Sequence, residues 1–207
     1  MTVPHPALAP ITLTGRHVVL EPLAADHVDD LVRAATVDRS SYGYTHVPAT
    51  TEAMGEYVTR FVTARTAGTD LPFVQRRAAD GRVVGCTRYL DIVWWANRPD
   101  PVEVEIGGTW LSADAQRSAV NTEAKLLLLG HAFETWGVHR VAICTDSRND
   151  RSRAAIERLG ASLDGILRNH RPSMGDATPA GTPRDTAVYS ILPDEWPAVR
   201  RRLAERL

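Results

Sequence analysis

The feature that most constrains this chain is an extended run that leads through a polar turn into a strongly apolar helical segment. The extended run covers Val102–Leu111, and the helical segment covers Gln116–Trp136. Four consecutive leucines, residues 126–129, make the segment apolar on more than one face. A helix of this kind is predicted to be buried on most sides.

The first turn of this helix is a candidate site for an anion. It is polar, has no acidic residue before Glu123, and has Arg117 beside it. Free backbone N–H groups and the positive end of the helix dipole favour an anion such as phosphate at this position. An ordinary strand–turn–helix with a solvated N-terminus is the alternative.

The composition excludes several classes of protein. The chain has 207 residues, of which 43% are hydrophobic and 24% charged, and its formal net charge is -1. These values indicate a globular chain and give no sign of nucleic-acid binding. No apolar run approaches the length of a membrane span, and the N-terminus lacks the pattern of a secretory signal. Cys86 and Cys144 lie in apolar strand-like runs, so we expect no disulfide framework and a reducing, cytoplasmic location.

The rest of the sequence predicts a single domain over residues 11–207, after a Pro-rich, loosely ordered tail at residues 1–10. Periodicity, caps and turn signals predict the order β, α, α, β, β, β, α, β, α, β, β, α. Strands 102–111 and 140–145, bridged by a helix, should form a parallel β-α-β crossover. The predicted fold class is therefore α/β (α+β), with helices packed on a mixed, mostly antiparallel sheet.

Two stretches carry a resemblance to a known family. They read W-L-S-A-D-A-Q-R-S-A-V-N-T-E-A-K from residue 110, after E-I-G-G, and D-S-R-N-D-R-S-R-A-A-I-E-R-L-G-A from residue 146. With this element order, the chain resembles the GNAT superfamily of acyl-CoA N-acyltransferases from about residue 11 to 192. It is most similar to the RimJ/RimL-type branch, which includes ribosomal-protein-alanine N-acetyltransferases. Gln116 keeps the first position of the superfamily's phosphate motif, but Ala119 and Asn121 depart from its small-residue positions.

The resemblance implies acetyl-CoA as co-substrate. The pyrophosphate would approach the backbone N–H groups of the turn, where Ala119 adds one methyl group relative to glycine. The end of the central strand would present backbone groups to the pantetheine arm, and Asn149 would bond the pantetheine amides, unless it is only a helix cap. The implied cofactor-binding residues are Trp110, Leu111, Gln116, Arg117, Ser118, Ala119, Val120, Asn121, Thr122, Asn149 and Ser152.

Acetyl transfer to an amine needs a base for the amine and a proton for the departing thiolate. The superfamily's tyrosine acid falls at Ile156, and the likeness to the branch implies Ser152 as a catalytic residue instead. The alternative for Ser152 is a polar residue of a first helical turn. Glu105 matches the glutamate of the branch's E-I-G motif and is the candidate base, or else a structural carboxylate paired with an arginine. His170 and Asp185 are rival bases.

Acceptor-binding residues are expected in residues 40–50 and 172–183, and the candidates are Tyr42, Tyr44 and His46. No histidine spacing indicates a metal site. The expected function is an acetyl-CoA-dependent N-acetyltransferase acting on a primary amine, either a protein N-terminus or a small molecule. A non-catalytic acyl-CoA-binding module is the alternative, because the glycine motif is altered and the tyrosine is absent. We expect no nucleic-acid or membrane partner, and a homodimer stays open.

Overall fold

An eight-stranded sheet with helices on both faces extends through the chain. The structure is a computed structural model and describes residues 8–175, 177, 179 and 181–207. The strands are β1 (Leu13–Thr14), β2 (Val18–Pro22), β3 (Leu71–Arg77), β4 (Val83–Val93), β5 (Glu103–Leu111), β6 (Arg140–Asp146), β7 (Ser162–Pro172) and β8 (Pro183–Ile191). The helices are α1 (Val28–Thr36), α2 (Thr51–Thr66), α3 (Ala119–Gly130), α4 (Asp150–Leu159) and α5 (Trp196–Ala204).

The strands are ordered β1-β2-β3-β4-β5-β6-β8-β7 across the sheet. All neighbouring pairs are antiparallel except β5 and β6, which α3 connects as a parallel crossover. The predicted fold class and the crossover are thus confirmed. Residues 1–7 of the predicted tail lie outside the described residues, whereas Leu8 is 1% exposed and belongs to the core.

Each face of the sheet has its own hydrophobic core. Side chains of α3, α4 and α5 pack on one face, with Leu128 and Leu129 fully buried among them. Side chains of α1 and α2 pack on the other face, around Met54 and Trp110. The sheet is therefore covered on both sides, which is why the central strands are buried.

Helix α3 is tied to the start of the sheet by one carboxylate. Glu123 is 6% exposed. Its oxygens accept hydrogen bonds from the backbone N–H groups of Arg16 at 2.8 Å, His17 at 2.5 Å and Val18 at 2.9 Å. A side chain at Gly15 would clash with this carboxylate. The helix is also shorter than the predicted segment 116–136. Helix α3 spans Ala119–Gly130, and residues 131–135 that follow it form a π-helical turn.

Strands β5 and β6 part after three paired residues. Their pairing ends at Glu105 and Ala142, although β5 runs on to Leu111 and β6 to Asp146. Gly108 takes a left-handed conformation, φ 58°, and a side chain there would clash with the Arg88 guanidinium. Because of this local turn of the chain, a wedge opens between the two central strands.

Replacing Glu123 by Gln should destabilise the fold. The amide keeps the size of the side chain, but it loses the negative charge that three backbone donors share. We expect the free energy of unfolding to fall by about 2 kcal/mol, which is typical for hydrogen bonds to charged groups. Urea unfolding measures this change.

Glu56→Gln is the matched control, because Glu56 is exposed in α2. It should alter stability by no more than about 0.5 kcal/mol. Equal effects of the two substitutions would contradict the anchoring role of Glu123.

Candidate active site

The wedge between β5 and β6 leads into two connected cavities. A groove of about 800 Å³ runs past the N-terminal ends of α3 and α4. A chamber of about 380 Å³ extends from there towards α2 and β7. Six residues line both cavities: Thr45, Thr109, Asn121, Asn149, Ser152 and Ala155. The two binding spaces therefore meet at these residues.

The start of α3 forms one wall of the groove. Ser118 caps the helix, because its Oγ accepts a hydrogen bond from the Val120 N–H at 3.3 Å and donates one to the Ala115 carbonyl at 2.6 Å. Arg117, just before the cap, adopts φ 58°. The first turn contains no acidic residue. The positive end of the helix dipole therefore faces the groove unopposed, as the sequence predicts.

Gln116 connects three parts of the groove. Its Nε2 donates to the Leu111 carbonyl at 2.9 Å and to the Ser41 Oγ at 2.8 Å. Its Oε1 accepts a hydrogen bond from Arg151 of α4. Gln116 therefore fixes the turn before α3 against the loop before α2 and against the start of α4.

Four arginines line the groove. Among the described residues, no carboxylate lines it beside them. Four cations around a groove with a helix N-terminus suit a ligand that carries several negative charges. The sequence indicated only Arg117, because the other three lie in α4 and at the end of the chain. These arginines are Arg117, Arg151, Arg158 and Arg206.

The start of α4 forms the opposite wall. Asn149 caps this helix, and its Oδ1 accepts a hydrogen bond from the Ser152 N–H at 3.1 Å. Asn149 is therefore a helix cap and also lines both cavities. Ser152 lies in the first turn, and its side chain is at the junction of groove and chamber.

The other predicted cofactor residues divide into two groups. Trp110, Leu111, Ala119, Asn121 and Thr122 line the groove. Val120 does not, because its side chain is 3% exposed and packs in the core under α3. The Leu111 carbonyl, expected to face the pantetheine arm, instead accepts hydrogen bonds from Gln116 and from the hydroxyl of Tyr42.

The predicted acceptor residues are placed apart. Tyr44 and His46 line the chamber. Tyr42 lines the groove instead. Its hydroxyl donates to the Leu111 carbonyl at 3.0 Å, and burial raises its pKa to about 12. The structure thus gives Tyr42 a role in shaping the groove and leaves two predicted residues at the chamber.

Glu105 is a buried carboxylate that lines the chamber. It is 5% exposed and accepts a hydrogen bond from Arg171 of β7 at 2.9 Å. Arg171 also bonds Asp91. Glu105 stands at the last paired position of β5, where the wedge begins. The rivals His170 and Asp185 line neither cavity.

This arrangement is found in a known family. The model of the family described as acetyltransferase (GNAT) domain matches residues 17–162. The chain belongs to the GNAT acetyltransferase family. A Bacillus subtilis (strain 168) relative named as a ribosomal N-acetyltransferase, YdaF, is 33% identical over 89 residues, and the match spans 43% of this chain and 45% of that protein.

Solved GNAT structures share the whole fold. A GCN5-related N-acetyltransferase from Brucella melitensis is 29% identical, with a TM-score of 0.83 over 99% of this chain and 88% of its own. Mycobacterium smegmatis RimJ, solved in complex with CoA-disulfide, is 22% identical, with a TM-score of 0.78 over 96% of this chain and 97% of its own. These findings confirm the predicted GNAT fold and the likeness to the RimJ/RimL-type branch.

Within the described part of the chain, no helix is long and apolar enough to cross a membrane. No group of three or more His, Cys, Asp and Glu side chains in that part is arranged to hold a metal ion.

Lys125 lines the chamber but was not among the residues predicted from the sequence. It is the only lysine in a chain with 24 lysines and arginines together. It projects from the second turn of α3 and is 5% exposed. Its Nζ donates to the Thr109 Oγ1 at 2.8 Å. The signal in the sequence was that this one position has a lysine, whereas every other basic residue apart from the histidines is an arginine.

Burial determines the charge of Lys125. Among the described residues no carboxylate pairs with Lys125 to compensate the loss of water, and burial lowers the pKa of the ammonium from its ordinary value of 10.5 to about 7. The side chain therefore exists both as amine and as ammonium near neutral pH.

Lys125→Met should remove a pH dependence of stability. The unfolded state of the wild-type protein binds the lysine proton up to about pH 10.5 and the folded state only up to about pH 7. The free energy of unfolding should therefore rise with pH between these values, by on the order of a few kcal/mol. Methionine does not titrate, so it adds no such pH dependence. The variant should therefore be the more stable protein at pH 7 and lose that advantage by pH 10.

Urea unfolding of both proteins at several pH values measures this difference, in which the titrations of all other groups cancel. The same pH dependence in both proteins would contradict the burial of a titrating amine at this position.

Proposed function

We propose that this protein transfers an acetyl group from acetyl-CoA to a primary amine. The observation that carries the proposal is the groove, in which a helix N-terminus and four arginines face one space with no carboxylate among the described lining residues. It opens into a chamber that holds a buried carboxylate and an ammonium. Membership of the GNAT family supports acetyl transfer in general, and the acceptor class is our own inference.

The groove fits coenzyme A by chemistry. The phosphate groups of this ligand match the N–H groups of the α3 turn and the guanidinium groups of Arg117, Arg151, Arg158 and Arg206. RimJ, which shares this fold, was solved in complex with CoA-disulfide, which is in keeping with a CoA ligand for this fold. When bound, acetyl-CoA supplies an activated acyl carbon whose leaving group is a thiolate.

Three groups at the chamber have a task in this chemistry. Glu105 takes the proton that the acceptor nitrogen loses, directly or through water, while Arg171 holds the carboxylate in place. Ser152 donates a hydrogen bond to the leaving sulfur from the junction of the two cavities. Backbone N–H groups of the splayed part of β5 stabilise the developing oxyanion.

The acceptor enters from the chamber side. A volume of about 380 Å³ accommodates one or two residues of a peptide N-terminus or a small amine, but not a folded protein surface. Tyr44 and His46 border this entrance. The ribosomal name of the YdaF relative favours a protein N-terminus as the acceptor.

The decisive experiment is acetyl-CoA turnover with a panel of amines. Peptides with N-terminal alanine or serine, free amino acids and aminoglycosides should be compared by the release of free thiol and by the mass of the product. We expect an acetylated product with at least one amine. Binding of CoA without thiol release from any amine would indicate the non-catalytic acyl-CoA-binding module.

The double substitution Ser118→Asp and Ala119→Asp should abolish CoA binding. It places two negative charges at the α3 N-terminus, where we expect phosphate, and the repulsion should weaken affinity by at least 100-fold. Calorimetric titration with CoA measures the dissociation constant.

Thr50→Asp with Thr51→Asp is the matched control, because it makes the same charge change at the start of α2. It should leave the affinity within about threefold. An unchanged affinity in the Ser118 and Ala119 variant would place the cofactor elsewhere.

Glu105→Gln and Ser152→Ala should lower turnover and leave the dissociation constant for acetyl-CoA nearly unchanged, since both side chains act in the transition state. We expect a loss of about 100-fold for Glu105→Gln, and it should shrink as pH rises because more of the acceptor amine is then already neutral. Ser152→Ala should cost less, because water can replace one hydrogen bond.

Initial rates between pH 6 and 9.5 measure these effects, with Glu56→Gln as the control. Wild-type turnover of Glu105→Gln over the whole range would assign Glu105 to the structural ion pair with Arg171.

A further inference from the structure

Lys125 has no task in the chemistry described so far, although it lines the chamber. Every other Lys or Arg position in the chain is occupied by arginine, whose guanidinium keeps its proton in proteins. The one side chain that can release a proton from nitrogen near neutral pH, apart from the histidines, is therefore placed beside the proposed acyl-transfer site. An amine is costly to bury, so its presence calls for an explanation.

A hydroxyl links Lys125 to the place where groove and chamber meet. The Lys125 Nζ donates to the Thr109 Oγ1 at 2.8 Å, and Thr109 lines both cavities. The Thr87 Oγ1 lies 2.9 Å from the Thr109 Oγ1 and 3.5 Å from the Nζ, but Thr87 lines neither cavity. Thr109 thus stands between the ammonium and the space expected for the thioester.

The other charged and titratable residues that line the chamber do not bind the proton of Lys125. Its charged lining residues are Arg60 of α2, Arg88 of β4, Glu105 of β5, Arg171 of β7 and Arg184 of β8. Arg88 pairs with Asp70, and Glu105 pairs with Arg171. The remaining titratable lining residues are Tyr44, His46, Tyr57 and Cys144. Burial raises the pKa values of Tyr57 and Cys144, which keeps both neutral.

We propose that the Lys125 ammonium, acting through the Thr109 hydroxyl, supplies the proton that the CoA thiolate takes as it leaves. This role rests on the proposed acetyl transfer. It replaces the task of the superfamily's tyrosine acid, whose position is occupied here by Ile156. Lys125 is a positioning residue in this scheme, since Thr109 is the group that faces the sulfur.

The step balances in atoms and charge. A C–N bond forms between the acceptor and the acyl carbon, and the C–S bond breaks with its electron pair on sulfur. Thr109 gives its hydroxyl proton to the sulfur and receives one from Lys125. The proton lost by the acceptor nitrogen passes to Glu105 and through solvent returns Lys125 to the ammonium, so that free thiol and amide are the net products.

The acidities favour this transfer. An unperturbed alkyl thiol such as that of cysteine has a pKa of about 8.5, and the pKa of buried Lys125 is about 7. The ammonium is thus the stronger acid, and the proton moves downhill to the thiolate. A serine hydroxyl does not ionise near neutral pH, so Ser152 can hold the sulfur by a hydrogen bond but cannot supply a net proton.

The first test observes the proton itself without any turnover. Protein grown with [ε-¹³C]lysine has a single lysine signal, because Lys125 is the only lysine. We expect this signal to titrate near pH 7 in the free protein and to move when CoA is added. Titration near pH 10.5, as for an exposed lysine, would overturn the proposal.

The second test separates the proton from the charge and the packing. Using acetyl-CoA and the best amine of the panel, we expect Lys125→Met to lower kcat about 100-fold and to keep acetyl-CoA affinity within about twofold. Lys125→Arg should be as slow, since it keeps the charge but cannot release the proton. Thr109→Val should lower kcat as well, whereas Thr87→Val, the matched control, should stay within about threefold of wild type.

The pH profile gives the readout that a purely structural role would not move. Wild-type kcat should fall at pH values above about 7 once the acceptor amine is neutral, and Lys125→Met should lack this falling limb. Wild-type kcat in Lys125→Met, or recovery of kcat by Lys125→Arg, would overturn the role of Lys125 and leave the acetyl transfer standing. Absence of turnover in the wild-type protein would overturn both.

Discussion

The parting of β5 from β6 is the constraint on which the site depends. Two central, buried strands normally satisfy each other's backbone groups along their whole length. Here the pairing stops after Glu105, and the left-handed Gly108 and the half-buried Arg88 guanidinium behind it turn β5 away. In this wedge the two strands no longer pair with each other, and the N-terminal ends of α3 and α4 lie beside it. The fold thus provides a polar cleft inside a hydrophobic core, which is where an extended, polyanionic ligand with a reactive end fits.

Much of this could be predicted from the sequence because it rests on local signals. The apolar run of four leucines, the Asn149 cap and Gly160, which adopts φ 106°, specify their helices with little help from the rest of the chain. The likeness in residues 110–125 and 146–161 added the cofactor side of the site. Most of the residues it implied do line the groove, since their positions follow from the strand–turn–helix geometry of β5 with α3 and of β6 with α4.

The parts that could not be predicted depend on contacts between distant segments. The Tyr42 hydroxyl reaches the Leu111 carbonyl over 69 positions, so its place in the groove needed the packing of the loop against β5. Arg158 and Arg206 join the groove through α4 and the end of the chain. Lys125 was passed over because one lysine in an apolar helix has no periodic signature, and only the fold shows that it is buried without a carboxylate.

The distribution of cations follows a division of labour between arginine and lysine. A guanidinium keeps its charge at every pH relevant to the cell and can donate two parallel hydrogen bonds to one carboxylate or phosphate group. These properties suit the walls of the groove and the ion pair with Glu105. An amine loses its charge when water is removed, which suits a proton donor. The basic residues that line the groove are all arginines, and the chamber has four arginines of its own, Arg60, Arg88, Arg171 and Arg184. The chamber also holds the single lysine, 5% exposed, where a group that can gain and lose a proton near neutral pH suits the proposed role. Helix α3 carries that amine, and it is anchored by its buried leucines in the core and by Glu123 at the start of β2. This anchoring holds the Lys125 ammonium within hydrogen-bonding distance of Thr109, beside the cleft.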